Sequence, residues 1–181
     1  MRVFFTLGCI FWIAGAALYG QTRVNEKAIA SLHNMFGNSA SITSTVQRLR
    51  SSASDSIALA SRSRWLTDTL RVYVCRAHDN IIGYGFVDEV KGKTQQITYL
   101  AGIRPDGEVQ DIDVLVYRES YGGEIAHESF RNQFRGKTVT DKLQPGRDIK
   151  NISGASISVR AITAGIKKIL LTFELLKPGL R

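Results

Sequence analysis

Four runs rich in aliphatic, aromatic and β-branched residues follow one another between Leu70 and Tyr117, and the gaps between them hold little more than turn residues. The runs are Leu70 to Cys75, Ile82 to Val90, Gln96 to Ile103 and Val109 to Tyr117. They are separated by His78-Asp79-Asn80, Lys91-Gly92-Lys93 and Arg104-Pro105-Asp106-Gly107. Connections this short reverse a chain and do not carry it across a sheet, so consecutive strands are expected to pair antiparallel, as a meander of at least four strands. Alternation puts Ile97, Tyr99, Ala101 and Ile103 on one face of the third strand and Ile112, Val114 and Val116 on one face of the fourth.

A half-apolar sheet needs a cover. Ala155, Val159, Ile162, Ile166, Ile169, Leu170, Phe173 and Leu176 recur at spacings of three and four, while Arg160, Lys167, Lys168 and Glu174 fall off that stripe. This is the pattern of a long amphipathic helix, with Ser153 as the expected N-cap and Lys177-Pro178-Gly179 as the stop. A second covering helix is expected from about Glu124 to Phe134, with Phe130 and Phe134 in the core. Gly136 closes it, and Lys137 beside the glycine could meet a phosphate. The fold class is α+β, an antiparallel β-meander sheet packed by helices.

The 181 residues allow one domain with an extension. Residues 1–20 stand apart, because Arg2 is followed by an uncharged run from Val3 to Tyr19 with Gly15, Ala16 and Ala17 near its end. That reads as a secretory signal peptide or an uncleaved membrane anchor, and it implies an extracytoplasmic place, periplasmic or on the outer face of the cytoplasmic membrane. Residues 21–69 read as a helical or linker extension. It contains a short helix from Asn25, its N-cap, to Phe36, ended by Gly37, and then a serine-rich stretch that is a strand and helix or a connection. Residues 70–177 form the domain. Cys9 lies in the leader, which leaves Cys75 alone in the rest of the chain, as a core residue without a disulfide partner. His33, His78 and His127 lack metal-ligand spacing and read as surface residues.

The formal net charge of +8 suits acidic lipid or an acidic redox partner, and export argues against nucleic acid. Two stretches suggest a ligand site. A helix start offers unpaired N–H groups and a positive dipole end, so Ser153 to Ser158 form a candidate phosphate site. Just after the last meander strand, Gly122-Gly123 on its own reads first as a plain strand-to-helix turn; the alternative is that its backbone lets a flat ligand approach closely, with Tyr121 stacked on it.

Taken together these pieces resemble the FMN-binding domain family, which includes the covalently flavinylated subunits of the sodium-pumping NADH:quinone reductase and Rnf complexes. The run Ser153-Gly154-Ala155-Ser156, continued by Ile157-Ser158, is similar to the family's flavin-attachment motif. Glu119-Ser120-Tyr121-Gly122 is similar to its second element and Phe134-Arg135-Gly136-Lys137 to its third. The likeness spans roughly residues 70–176.

The resemblance implies FMN joined by a phosphoester to Ser156, placed there by a separate flavin transferase using FAD. Ser153, Gly154, Ala155, Ile157 and Ser158 would then hold the phosphate side, and Glu119, Tyr121, Gly122 and Gly123 the ring side. The implied function is an electron-transfer subunit of a membrane redox complex, not a stand-alone enzyme, with no catalytic base and no metal. The chain departs from the family at two positions: Ser156 stands where threonine is usual, and Lys150 where an aspartate precedes the motif. These departures motivate the alternative of a flavin-free binding or assembly module with the same fold.

Overall fold

The computed structural model describes the backbone of residues 8–49 and 51–180 and the side chains of residues 21–49 and 52–180. Its centre is a five-stranded antiparallel sheet, β1 (Ser41–Arg48), β2 (Thr69–Ala77), β3 (Asn80–Lys91), β4 (Gln96–Ile103) and β5 (Val109–Val116), whose spatial order is the chain order. The four expected strands are all present. The fifth, β1, comes from the serine-rich stretch and lies on the edge against β2, pairing Ser41 with Arg76 and Arg48 with Thr69. Most of its side chains are exposed, which is why it carries so little hydrophobic signal. After it, Ser51–Ser61 forms a helix, α2.

The two faces of the sheet carry separate cores. Leu70, Val72 and Val74 of β2 point to one, together with Tyr99, Ala101 and Ile103 of β4. Tyr73 and Cys75 point to the other with Leu100. In β5 the expected face breaks down at its end. Thr98 pairs with Val116 and Tyr99 with Val114, so Leu115 is an extra residue, and the bulge turns Leu115 and Val116 to the second face while Ile112 and Val114 stay on the first.

The first face is covered by the long helix, α4 (Ser156–Leu176), through the stripe from Ala155 to Phe173. Lys168 corrects the sequence pattern. It lies off the apolar stripe yet is fully buried, its ammonium 3.0 Å from the Asp88 carboxylate and 4.3 Å from the centre of the Trp65 ring. Residues 123–134 cover the rest, but not as one helix. A 3-10 turn (Gly123–Ala126), a single α turn, α3 (Glu128–Arg131), and a second 3-10 turn (Asn132–Phe134) follow each other, because His127 is extended. Phe130 and Phe134 still meet in the core as an edge-on aromatic pair at 5.3 Å.

The second face is covered by α1 (Gly8–Phe36), an element to which the sequence assigned no partner. It runs without interruption through Asn25, which is therefore no cap; its amide oxygen accepts a 2.7 Å hydrogen bond from the Tyr73 hydroxyl instead. Its end at Phe36, before Gly37 at φ +102°, matches the expectation. Three glycines of the sheet make room for it: a β-carbon on Gly83, Gly85 or Gly102 would fall within 3 Å of Phe36, Leu32 or Met35, respectively. Residues 1–7 of the expected leader lie outside the described residues, as do the side chains up to residue 20. Among the described residues no helix is long and apolar enough to cross a membrane.

Candidate functional site

Three connections meet at one end of the sheet: the Gly92–Gln95 turn between β3 and β4, the loop after β5, and the start of α4. What joins the first two is a carboxylate. Glu119 accepts hydrogen bonds from the Thr94 amide at 2.8 Å, the Thr94 hydroxyl at 2.5 Å and the Gln95 amide at 3.1 Å. These bonds, the Thr94 hydroxyl first, pull its pKa down to about 2. Glu119 is thus spent on holding the loop in place, and it reaches the cleft as part of the wall.

A tyrosine joins the second connection to the third. The Tyr117 hydroxyl donates to the Tyr121 carbonyl and lies 3.1 Å from the Ser158 hydroxyl, which donates to it. Gly122 completes the contact. It adopts φ +89°, and a β-carbon there would lie 2.8 Å from the Tyr117 oxygen and 3.0 Å from Ala155 Cβ. Gly122→Ala is therefore expected to cost about 2 kcal/mol from the left-handed backbone alone, with further loss from the clash. Thermal melting measures it, and a change of less than about 0.5 kcal/mol would contradict the close approach.

The wall encloses a cleft of about 470 Å³, within the range of ligand pockets (roughly 300–1,000 Å³). Tyr121, 83% exposed, and Ile157, 42% exposed, give it apolar surface. At its base the chain turns at Gly154, φ +80°, with the Ala155 amide donating to Ile152 at 3.1 Å. That turn delays the helix, so its first residue is Ser156 and its N-cap is Ala155, with no capping side chain. Ser153 is not the cap.

The amides of the first turn are consequently left without a side-chain cap, at the positive end of a 21-residue helix. The Ser156 hydroxyl is exposed and has no hydrogen-bond partner among the described residues, whereas Ser158 is buried and bonded to Tyr117.

The residues singled out by sequence thus separate. Glu119, Tyr121, Gly154, Ala155, Ser156, Ile157 and Ser158 come together at the cleft. Gly122 supports it from behind, and Ser153 and Gly123 lie outside its lining. Lys137 is elsewhere, its ammonium 3.2 Å from Asp141. Lys93, Thr94 and Tyr117 escaped the sequence reading. The first two belong to what read as a plain turn, and Tyr117 ends an apolar strand. Lys93 is an exposed cation on the lining.

Around the motif, the Lys150 amide donates to Gln133 at 2.6 Å. The nearby Asp148 carboxylate is taken by the amides of Leu143 and Gln144 at 2.8 and 2.5 Å.

The Glu119 clamp predicts a pH response. A carboxylate whose folded pKa is lowered contributes stability that is fully present above its ordinary value, here 4.5, and is lost as the pH falls through about 2. The Glu119 carboxyl carbon is expected to titrate near 2 by NMR and to move toward 4.5 in Thr94→Val. An ordinary midpoint in the unaltered chain would show that the clamp does not form.

Residues 92–171 match the FMN-binding domain family, so the resemblance read from the sequence holds over the segment that carries all three connections of the cleft. The chain is 30% identical over 103 residues to a subunit of the proton-translocating ferredoxin:NAD(+) oxidoreductase complex of Clostridium ljungdahlii, covering 53% of this chain and 56% of that protein. It is 24% identical over 117 residues to a subunit of the Na(+)-translocating ferredoxin:NAD(+) oxidoreductase complex of Acetobacterium woodii, covering 59% and 56%. It therefore spans little more than half the length of these relatives. A crystal structure of NqrC from Shewanella oneidensis superposes with a TM-score of 0.53 at 16% identity, over 63% of this chain and 62% of that one, and has the same fold.

Proposed function

We propose that the FMN-binding domain of residues 92–171 seats FMN in this cleft, joined by a phosphoester to Ser156, and that the chain is an electron-transfer subunit of a membrane redox complex acting outside the cytoplasm. One observation carries the reading. An exposed, unpartnered hydroxyl, uncapped helix amides and apolar surface from Tyr121 and Ile157 all meet in one cleft of ligand size. Attachment needs a hydroxyl that is not already spent, and of the two serines on α4 that line the cleft only Ser156 has one.

Each residue then has a task. The amides of the first turn of α4 and the Lys93 ammonium hold the phosphate, the helix dipole adding to the cation. Tyr121 and Ile157 cover the ring system, while Glu119 and Tyr117 keep the walls at their spacing. FMN, when bound, supplies the one- and two-electron chemistry; the chain supplies position and surroundings. With FAD as donor, a flavin transferase would form the bond from Ser156 Oγ to the FMN phosphorus and break the pyrophosphate bond, with AMP leaving and taking up the hydroxyl proton. The apolar run of the first twenty residues supports export, and the complexes named for the relatives support a membrane partner.

The test is to produce the exported chain alongside a flavin transferase and separate it on a denaturing gel. Yellow-green fluorescence is expected in the protein band, with an FMN-sized mass increase on the peptide containing Ser156. A dark band with an unmodified peptide would overturn covalent attachment. The reading of a flavin-free module, which Lys150 and the fully bonded Asp148 favour, would then stand.

A further inference from the structure

Beside the flavin cleft lies a second groove, of about 570 Å³, and its charge is one-sided. Arg62, Arg64, Lys91 and Arg160 line it, all exposed, and no carboxylate does. Among the described residues none of these four cations has an ion-pair partner. Several cations elsewhere in the domain are, by contrast, paired where they stand. Arg131 and Arg135 share Asp111, Lys137 meets Asp141, and Lys168 meets Asp88.

The four come from three separate segments. Arg62 and Arg64 follow α2, Lys91 ends β3, and Arg160 lies on the first turns of α4. Holding them together costs mutual repulsion, which a complementary anionic surface would relieve. Arg64 is tied to the core, since its carbonyl accepts a 3.1 Å hydrogen bond from the buried Lys168 ammonium. Lys91 and Arg160 are carried by β3 and α4, elements of the same core.

We infer that this groove is a docking surface for an acidic protein partner, placed to bring that partner's edge beside the cleft. Two features select a protein. The floor is apolar and concave, with Leu66 37% exposed and Ala161 half-buried, so it receives a ridge of side chains between flanking carboxylates; a planar headgroup layer would touch only the protruding cations. The groove is also continuous with the cleft, because Ile157 lines both and follows Ser156 directly. Charged rims of this kind accelerate encounter and set orientation, as an electron-exchange partner requires.

That electrons pass at this contact rests on the flavin reading above; the docking itself does not, and it is tested without flavin. The probe is a fluorescein-labelled peptide of alternating glutamate and leucine pairs, followed by anisotropy against the full chain. Binding is expected to weaken steeply between about 0.05 and 0.5 M salt. It should fall at least about tenfold in the Arg64→Glu, Arg160→Glu double variant. A remote control, Lys142→Glu with Arg147→Glu, should change it less than about twofold. Both variants alter exposed side chains, and circular dichroism and melting confirm their folding. Equal loss in both pairs, or no loss in the first, would overturn the site. So would binding to phosphatidylglycerol vesicles with none to the peptide, since the groove would then serve a membrane surface.

Discussion

Ser156→Ala is expected to remove covalent flavin altogether, and Ser156→Thr to keep it. The hydroxyl is the only part of the side chain the proposed bond uses; it is exposed and has no partner among the described residues, so its loss removes no contact of the fold. Stability of the alanine variant should stay within about 0.5 kcal/mol of the parent. Threonine keeps the oxygen and adds a methyl that restricts its rotamer, which suits a hydroxyl held at a helix start.

The informative control is two residues on. Ser158→Ala deletes the bond to Tyr117 at 3.1 Å, should cost about 1 kcal/mol, and should leave the flavin attached. Gel fluorescence and peptide mass read all three variants. Flavin retained in Ser156→Ala, or lost only in Ser158→Ala, would move the attachment point.

The largest expected effect on stability lies away from the cleft. Lys168→Met should destabilise the chain by about 3–5 kcal/mol, because it strips a buried carboxylate of its counter-charge. Asp88 is 7% exposed; its Oδ2 meets the Lys168 ammonium at 3.0 Å and the Tyr99 hydroxyl at 2.6 Å. Burial pushes the Asp88 pKa up, and the ammonium and the tyrosine hydrogen bond hold it back.

Tyr99 keeps its proton and so remains the donor, since burial first and the Asp88 charge second raise its pKa well above the ordinary value. A carboxyl with a raised folded pKa favours the folded state at low pH and loses that contribution as the pH rises through the folded value. Without Lys168 the pKa rises further, so the variant should recover part of its lost stability on acidification toward pH 4.

Adding Asp88→Leu to Lys168→Met should also recover part of it, by removing the stranded charge. Chemical denaturation at several pH values decides the matter. A single variant as stable as the parent would mean that the pair contributes nothing net.

Much of the scaffold was legible because its signals are local. Alternation and turn residues marked four strands within one or two residues of their observed ends, and the stripe from Ala155 to Phe173 marked the helix above them. The candidate site was legible in part, for the same reason: Ser156, Tyr121 and their neighbours lie in short contiguous motifs.

Other features were not legible, because they depend on who the neighbour is. β1 has almost no apolar face and is a strand only because β2 offers it an edge to pair with. Lys168 looks like a surface residue until Asp88, 80 positions earlier, is found beneath it. Glu119 was legible as a residue at the cleft but not as a clamp, a role that exists only because the Thr94 and Gln95 amides stand within its reach.

The sequence by itself determined a meander sheet under an amphipathic helix and a hydroxyl-rich motif at the start of that helix, since periodicity and turn chemistry act within a few residues. Only the tertiary structure decided which of those hydroxyls is free. Ser158 is held by a tyrosine 41 residues away in the chain, and the Gly154 turn leaves Ser153 outside the cleft and Ser156 within it. Which donors and acceptors remain unspent is settled only when every partner is in place.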